Sequence, residues 1–393
     1  MKRILAMILV VALAVSMFAL AGCGDKNANK PAETIKIGYI GPLTGGVSVY
    51  GIAVNRGLKL AVDEINAAGG INGAKIEVVE KDDQGTPEEA MNAFNELVSE
   101  GVKIIVGAVT SGCTAAITQA ANDEGVVLIS ASSTADPITT EDDYVFRTCY
   151  SDSFQGAIAA AYCYLNDIKE VGVVYCAADT YSKGLYDSFK AAAEGYGITI
   201  AATESTDAMD AVDFTNQFQS MVNAGVELVF APYYYSTIGP YVVPQAREAG
   251  YNGVILGSDG YDGTIDYISA GTGSYFENVY FTNHYDAASE AAIVKTFVSN
   301  FEKAYGETPN AFAALSYDAA LVLKAAITKA GTDPKAVRDA MADMTASYEC
   351  VTGTFSFDKS GTPLKGGVIT TFTYDAANDT VGTALVQAIT ELP

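Results

Sequence analysis

Five short loops hold the residue types that could do chemistry. Thr110-Ser111-Gly112 and Ala131-Ser132-Ser133-Thr134 each follow an apolar, strand-like run and present hydroxyls beside backbone N–H groups. At the start of a helix such groups favour an anion such as a carboxylate. Taken singly, they are also what caps most helices. Asp179-Thr180-Tyr181, Pro232-Tyr233-Tyr234-Tyr235 and Gly257-Ser258-Asp259-Gly260 take the matching places in the second half of the chain and offer carboxylates and phenols. A lone tyrosine is a half-buried wall residue, and a lone Asp before Gly is a turn residue. The two groups of loops together suit a molecule with a carboxylate at one end and an ammonium beside it, which describes an amino acid.

The elements that would position these loops alternate strand and helix. Ile35–Ile40 reads as a strand, Gly51–Ala67 as a helix and Lys75–Glu80 as a strand. Thr86-Pro87-Glu88-Glu89 opens a helix with proline and acids in its first turn. Strand Lys103–Val109, helix Cys113–Asp123 and strand Val126–Ser130 follow. After Tyr150 the cadence restarts with helix Phe154–Leu165, strand Val171–Cys176, helix Ser182–Ala193, strand Ile198–Ala202, helix Phe214–Ala224, strand Leu228–Ala231, helix Pro240–Ala249 and strand Val254–Leu256. Val279–Tyr285 starts a third section, with helices near Ala291–Tyr305, Phe312–Ala330 and Pro334–Met344, and late strands at Gly353–Phe357 and Val368–Tyr374.

Short apolar runs alternating with amphipathic helices mean βαβ units and parallel sheets covered on both faces. The expected class is α/β: two doubly wound parallel-sheet lobes joined by a three-segment hinge. Lobe 1 takes residues 34–150 plus 283–351, and lobe 2 takes 151–282 plus 352–393. The crossings are expected at Thr148–Asp152, Tyr280–Tyr285 and Glu349–Thr354. In open sheets of this kind ligands sit at the carboxyl ends of the strands.

Composition removes several function classes. The 393 residues carry 47 acids and 23 bases, a net charge of −24, which opposes nucleic-acid binding and anionic membrane surfaces. A single histidine, His284, and the lack of any Cys-x-x-Cys pair leave no multi-ligand metal site, and no cofactor is expected. No Gly-x-Ser-x-Gly elbow occurs, and Gly41-Pro42-Leu43-Thr44-Gly45-Gly46 lacks the spacing of a dinucleotide loop, so no enzyme is expected. His284 falls at a crossing, where it reads as a solvated or hinge-packing residue.

At the N-terminus, Lys2 and Arg3, the apolar run Ile4–Leu20 and the small residues before Cys23 describe a secretory signal peptide over residues 1–22. Leu20-Ala21-Gly22-Cys23 resembles the lipobox of bacterial lipoproteins, in which the cysteine is acylated. Residues 23–33 then read as a lipid-anchored tether. Of the other cysteines, Cys163 and Cys176 fall in apolar runs and read as buried. The odd count of five leaves at least one unpaired.

The opening Ile37-Gly38-Tyr39-Ile40-Gly41-Pro42-Leu43-Thr44-Gly45, then Tyr50-Gly51, Asn66-Ala67-Ala68-Gly69-Gly70-Ile71-Asn72-Gly73 and Asp82-Asp83 resemble the leucine/isoleucine/valine-binding protein family. These are type I periplasmic binding proteins of branched-chain amino acid ABC importers. Val106-Gly107, Ser132-Ser133-Thr134, Gln245-Ala246-Arg247-Glu248-Ala249-Gly250 and Phe357-Asp358-Lys359-Ser360-Gly361 continue the likeness over nearly the whole chain after the signal peptide. The resemblance implies that Ser111, Thr134 and the backbone at Ser132 hold a ligand carboxylate. It implies that Tyr181 and Asp259 take the ammonium, that Tyr234 closes from the second lobe, and that Tyr50 lies against the ligand side chain.

It further implies a monomer on the outer face of the cytoplasmic membrane that hands its ligand to permease subunits. A receptor of the same fold for a small amide, urea or aromatic acid is the alternative. Two departures stand out. Gln84-Gly85-Thr86 and Thr110 occupy places where disulfide-bearing members have cysteines. Asp259 stands where the family often has glutamate, one methylene longer.

Overall fold

The structure, a computed structural model, describes residues 34–141, 143–389 and 392. The expected signal peptide, Cys23 and tether lie outside the described residues. Strands β1 (Ile35–Gly41), β2 (Ile76–Asp82), β3 (Ile104–Val106), β4 (Val127–Ser130) and β5 (Val145–Arg147) form one parallel sheet, ordered β2-β1-β3-β4-β5. Alternate side chains leave its two faces. Ile37, Tyr39, Val106 and Ile129 join one apolar cluster, while Ile40, Ile105 and Leu128 join another. Both faces are therefore buried, which is why these strands read as unbroken apolar runs. Helix α1 (Ser48–Ala67) contributes Val54, Leu58 and Ile65 to the first cluster. Helices α2 (Pro87–Ser99) and α3 (Ser111–Asp123) contribute Phe94, Leu97 and Ile117 to the second. The Thr86 hydroxyl accepts from the Glu89 N–H at 3.3 Å and caps α2, as its sequence suggests.

The chain leaves β5 and starts α4 (Asp152–Leu165), followed by β6 (Glu170–Cys176), α5 (Thr180–Gly195), β7 (Thr199–Thr206), α6 (Thr215–Ala224) and β8 (Leu228–Phe230). Helix α7 runs from Tyr235 to Glu248 with a π-helical turn at Ile238–Val242, ahead of β9 (Val254–Gly257) and β10 (Val279–Asn283). The second sheet is ordered β14-β13-β10-β9-β8-β6-β7. Its β6–β10 part is parallel. Strands β13 (Gly367–Asp375) and β14 (Thr380–Ile389) add an antiparallel pair at one edge. The mixed sheet goes beyond the purely parallel one expected. Strand β14 is an addition to the expected elements: more than half its residues are solvent-exposed, so it shows no apolar run to read.

Between β10 and β13 the chain returns to the first sheet as α8 (Ala292–Tyr305), α9 (Ala311–Ala330) and α10 (Pro334–Met341). By length and composition alone α9 could cross a bilayer, but it is mostly buried in the core against α1. Where these helices meet, the Ala313 carbonyl faces Gly57, and an added Cβ would lie 2.0 Å from that oxygen. Gly57→Ala is therefore expected to destabilise the protein by roughly 1–3 kcal/mol in urea denaturation, despite alanine's better helix propensity, because overpacking opposes it.

One crossing differs from expectation. Glu349–Thr354 does not pass between lobes: Tyr348–Cys350 pairs with Gly353–Phe355 in a small hairpin (β11 and β12) held to α9, where Asp318 accepts from the Val351 and Thr352 N–H groups. The next residues stay with the first sheet. Arg147 N–H donates to the Gly361 carbonyl at 3.1 Å, and Phe357 packs on Phe146. The edge strand β5 needs partners for its open backbone groups, and this segment supplies them. The chain reaches the second sheet only between Pro363 and Gly367, so residues 352–362 go with lobe 1 and not, as expected, with lobe 2.

Candidate functional site

At the carboxyl ends of the strands the two sheets face one another across a cavity. It is lined by Tyr50, Ser111, Ser132, Tyr181, Tyr234 and Asp259, with Val109, Thr110, Gly260 and Phe312. Its empty volume is about 260 Å³, solvent at its mouth included. Six of the seven residues expected to bind a ligand thus share one lining. Thr134 is fully buried but outside it, and its hydroxyl has no hydrogen-bond partner among the described residues.

On the lobe 1 side, Thr110 is the residue before α3, yet its side chain makes no capping bond. The Ser111 hydroxyl accepts from the Ala135 N–H at 3.4 Å, which leaves its own proton free to donate. The Ser132 hydroxyl donates to the Val109 carbonyl at 2.7 Å. Capping therefore explains neither Thr110 nor Ser132. In contrast it does explain Asp179, whose carboxylate accepts from the Ser182 N–H at 2.9 Å.

Arg147, 1% exposed, fixes the loop after Ser132. Its guanidinium donates to the carbonyls of Ser133 (3.4 Å), Thr134 (2.7 Å), Ala135 (2.9 Å) and Asp136 (3.2 Å) and to the hydroxyls of Thr139 (2.7 Å) and Thr362 (3.0 Å). Nearby Asp152 is buried with neither oxygen in a hydrogen bond by geometry among the described residues, and burial pushes its carboxyl well above the usual carboxylate range, against the opposing effect of the Thr134 hydroxyl.

On the lobe 2 side, Asp259 is 1% exposed. The Tyr181 hydroxyl donates to its Oδ1 at 2.6 Å, and His284 Nε2 lies 3.0 Å from its Oδ2. Its backbone N–H donates to Gln155 Oε1 at 2.8 Å. The Tyr181 oxygen also accepts from the Gly260 N–H at 2.9 Å. Burial raises the phenols of Tyr50, Tyr181 and Tyr234 well above their ordinary value, so all three are neutral donors at pH 7.

Tyr50 joins the lobes. Its hydroxyl bonds the Gly260 carbonyl and accepts from the Tyr235 N–H at 3.2 Å, and its ring packs on Phe312 and Tyr235 with centroids 4.5 and 4.6 Å away. The Tyr235 hydroxyl returns a bond to the Gly46 carbonyl at 3.1 Å.

Two residues escaped the sequence reading. Phe312 lies in the first turn of α9, more than 50 residues in sequence from every loop it joins, and carries no local signal. His284 is not solvated but packs on Tyr150 of the first crossing, as the hinge-packing reading has it; what that reading lacked is its pairing with Asp259. Its place just beyond an apolar strand was the one available hint, since loop residues at strand ends line such clefts. The five cysteines among the described residues are buried and free, Cys163 and Cys176 included, as their apolar runs suggest.

Comparison with known proteins agrees with this architecture. Residues 34–378 match the family model described as periplasmic binding protein. The chain is 34% identical to the Leu/Ile/Val-binding protein homolog 3 of Brucella melitensis, over 83% of this chain and 88% of that protein. It is 32% identical to the leucine-, isoleucine-, valine-, threonine- and alanine-binding protein of Pseudomonas aeruginosa, over 87% and 91%. The branched-chain amino acid transporter substrate-binding protein LivJ of Streptococcus pneumoniae, solved with isoleucine, superposes with a TM-score of 0.80 at 34% identity, covering 90% of this chain and 99% of that one.

Proposed function

Because this chain belongs to the periplasmic binding protein family, we propose that it captures a free amino acid, a branched-chain aliphatic one first, and delivers it to an ABC importer. The observation that carries this reading is the buried Asp259 carboxylate, set across one cavity from the hydroxyls of Ser111 and Thr110. A buried carboxylate calls for a cationic partner. A zwitterion supplies one while placing its carboxylate on the hydroxyl side. Tyr50, Val109, Phe312 and Tyr234 complete an apolar wall suited to an aliphatic side chain.

Capture follows from the two-lobed build. A ligand closes such a protein only by binding the closed state better than the open one. Carboxylate contacts from lobe 1 and ammonium contacts from lobe 2 are complete together only when the lobes meet. The Tyr50–Gly260 and Tyr235–Gly46 bonds are the protein's own part of that closure. Capture needs no proton transfer, so the protein acts as a carrier and not as an enzyme. It works as a monomer outside the cytoplasmic membrane, tethered through an acylated Cys23.

The test is a thermal-shift panel of the twenty amino acids with small amides, urea and aromatic acids. Leucine, isoleucine or valine at a hundred times its Kd should stabilise the fold by about 2.7 kcal/mol. That corresponds to a Tm rise of several degrees. A rise with an amide, urea or an aromatic acid and with no amino acid would instead favour the alternative receptor.

A further inference from the structure

We infer that His284 is a positioning residue for recognition: its ring, with the proton on Nε2, donates to Asp259 and aims the carboxylate at the ligand ammonium. This rests on the reading of Asp259 given above. An ionised carboxylate only accepts hydrogen bonds, so the 3.0 Å contact to Oδ2 requires the imidazole proton on Nε2. Nδ1 is buried with no hydrogen-bond partner among the described residues, and a second proton there would have no acceptor. Both side chains are almost wholly out of solvent.

The ring is also fixed in orientation. Tyr150, on the first crossing, packs on it with centroids 3.8 Å apart, while His284 itself leaves the end of β10 on the second crossing. The groups facing it are Asp259 from the loop after β9, Tyr150, and Lys365 from the last crossing. Burial lowers the imidazole pKa most, Lys365 lowers it further, and Asp259 opposes both.

Asp259 consequently receives one donor on each oxygen, Tyr181 on Oδ1 and His284 on Oδ2. A carboxylate has about four acceptor sites, so room remains for an ammonium. An imidazolium in that place would put two cations on one carboxylate. Protonation of His284 and amino-acid binding therefore oppose one another, and by linkage bound ligand lowers the imidazole midpoint.

The chain has one histidine, so protein labelled with [15N]histidine and purified without a histidine tag gives a single imidazole signal. Proton–nitrogen correlation spectra across pH, without and with saturating leucine, should show the Nε2–H neutral ring at pH 7. The midpoint should fall when leucine is added. Calorimetry should find His284→Gln, whose amide keeps the donor, within about threefold of wild-type affinity at pH 7.5, with no weakening at the wild-type imidazole midpoint. His284→Leu should lose about tenfold or more, the scale of one charged hydrogen bond.

An imidazolium or an Nδ1–H ring in the leucine complex overturns the inference, as does wild-type affinity and pH profile in His284→Leu. Absence of binding by every amino acid to the wild type instead overturns the proposed function, and this inference with it.

Discussion

Asp259→Ala is expected to weaken amino-acid binding by at least about 100-fold, measured by calorimetry. Charged hydrogen bonds are worth about 1.5–3 kcal/mol each, and the ammonium would be left without its carboxylate. Tenfold in affinity corresponds to about 1.4 kcal/mol. Removing two such hydrogen bonds therefore weakens binding by about 100-fold or more. The substitution also strips acceptors from the Tyr181 hydroxyl and from His284 Nε2, both buried. Asp259→Asn separates charge from shape. It fills the same space without the charge, and it should bind nearly as poorly as the alanine variant if charge dominates. Wild-type affinity in both variants, alongside a normal unliganded melting curve, would remove Asp259 from the site.

Arg147→Met is expected to lower stability by about 1.5–3 kcal/mol or more in urea denaturation, the scale of hydrogen bonds to a charged group. The guanidinium spans four carbonyls and two hydroxyls in a volume closed to water. Removing it takes the charged donor from all of them, although the Thr134 and Ala135 carbonyls keep the N–H groups of Asp152 and Ile138, while methionine restores only volume. Because the same carbonyls belong to the loop that begins at Ser132, affinity for the amino acid should fall as well. Arg147→Lys should not restore either property, since an ammonium cannot reach these acceptors as a planar fork does. A decrease below about 1 kcal/mol would mean that the loop holds its shape without the arginine.

Much of this architecture was legible in order along the chain. Strands such as Leu228–Phe230 and helices such as Asp152–Leu165 fall close to where apolar runs and helical spacing put them. The hydroxyl loops and the Tyr and Asp loops could be placed at strand ends for the same reason. The last crossing could not. Gly353–Phe357 has a strand's composition, and only its partners tell that it serves the first sheet and not the second. The strand Thr380–Ile389 stayed hidden because most of its side chains face solvent and show no apolar period.

By itself the sequence determined the α/β class, the two arrays, and the loops whose groups gather at one cleft. These are consequences of local periodicity, and local periodicity is written in neighbouring residues. Tertiary structure decided which groups act as pairs. Asp179 caps a helix, while Asp259 is buried between Tyr181 and His284, and nothing within either loop separates those fates. The physical reason is burial. A carboxylate's role depends on the donors that replace its water, and here those donors come from residues 78 and 25 positions away in the chain.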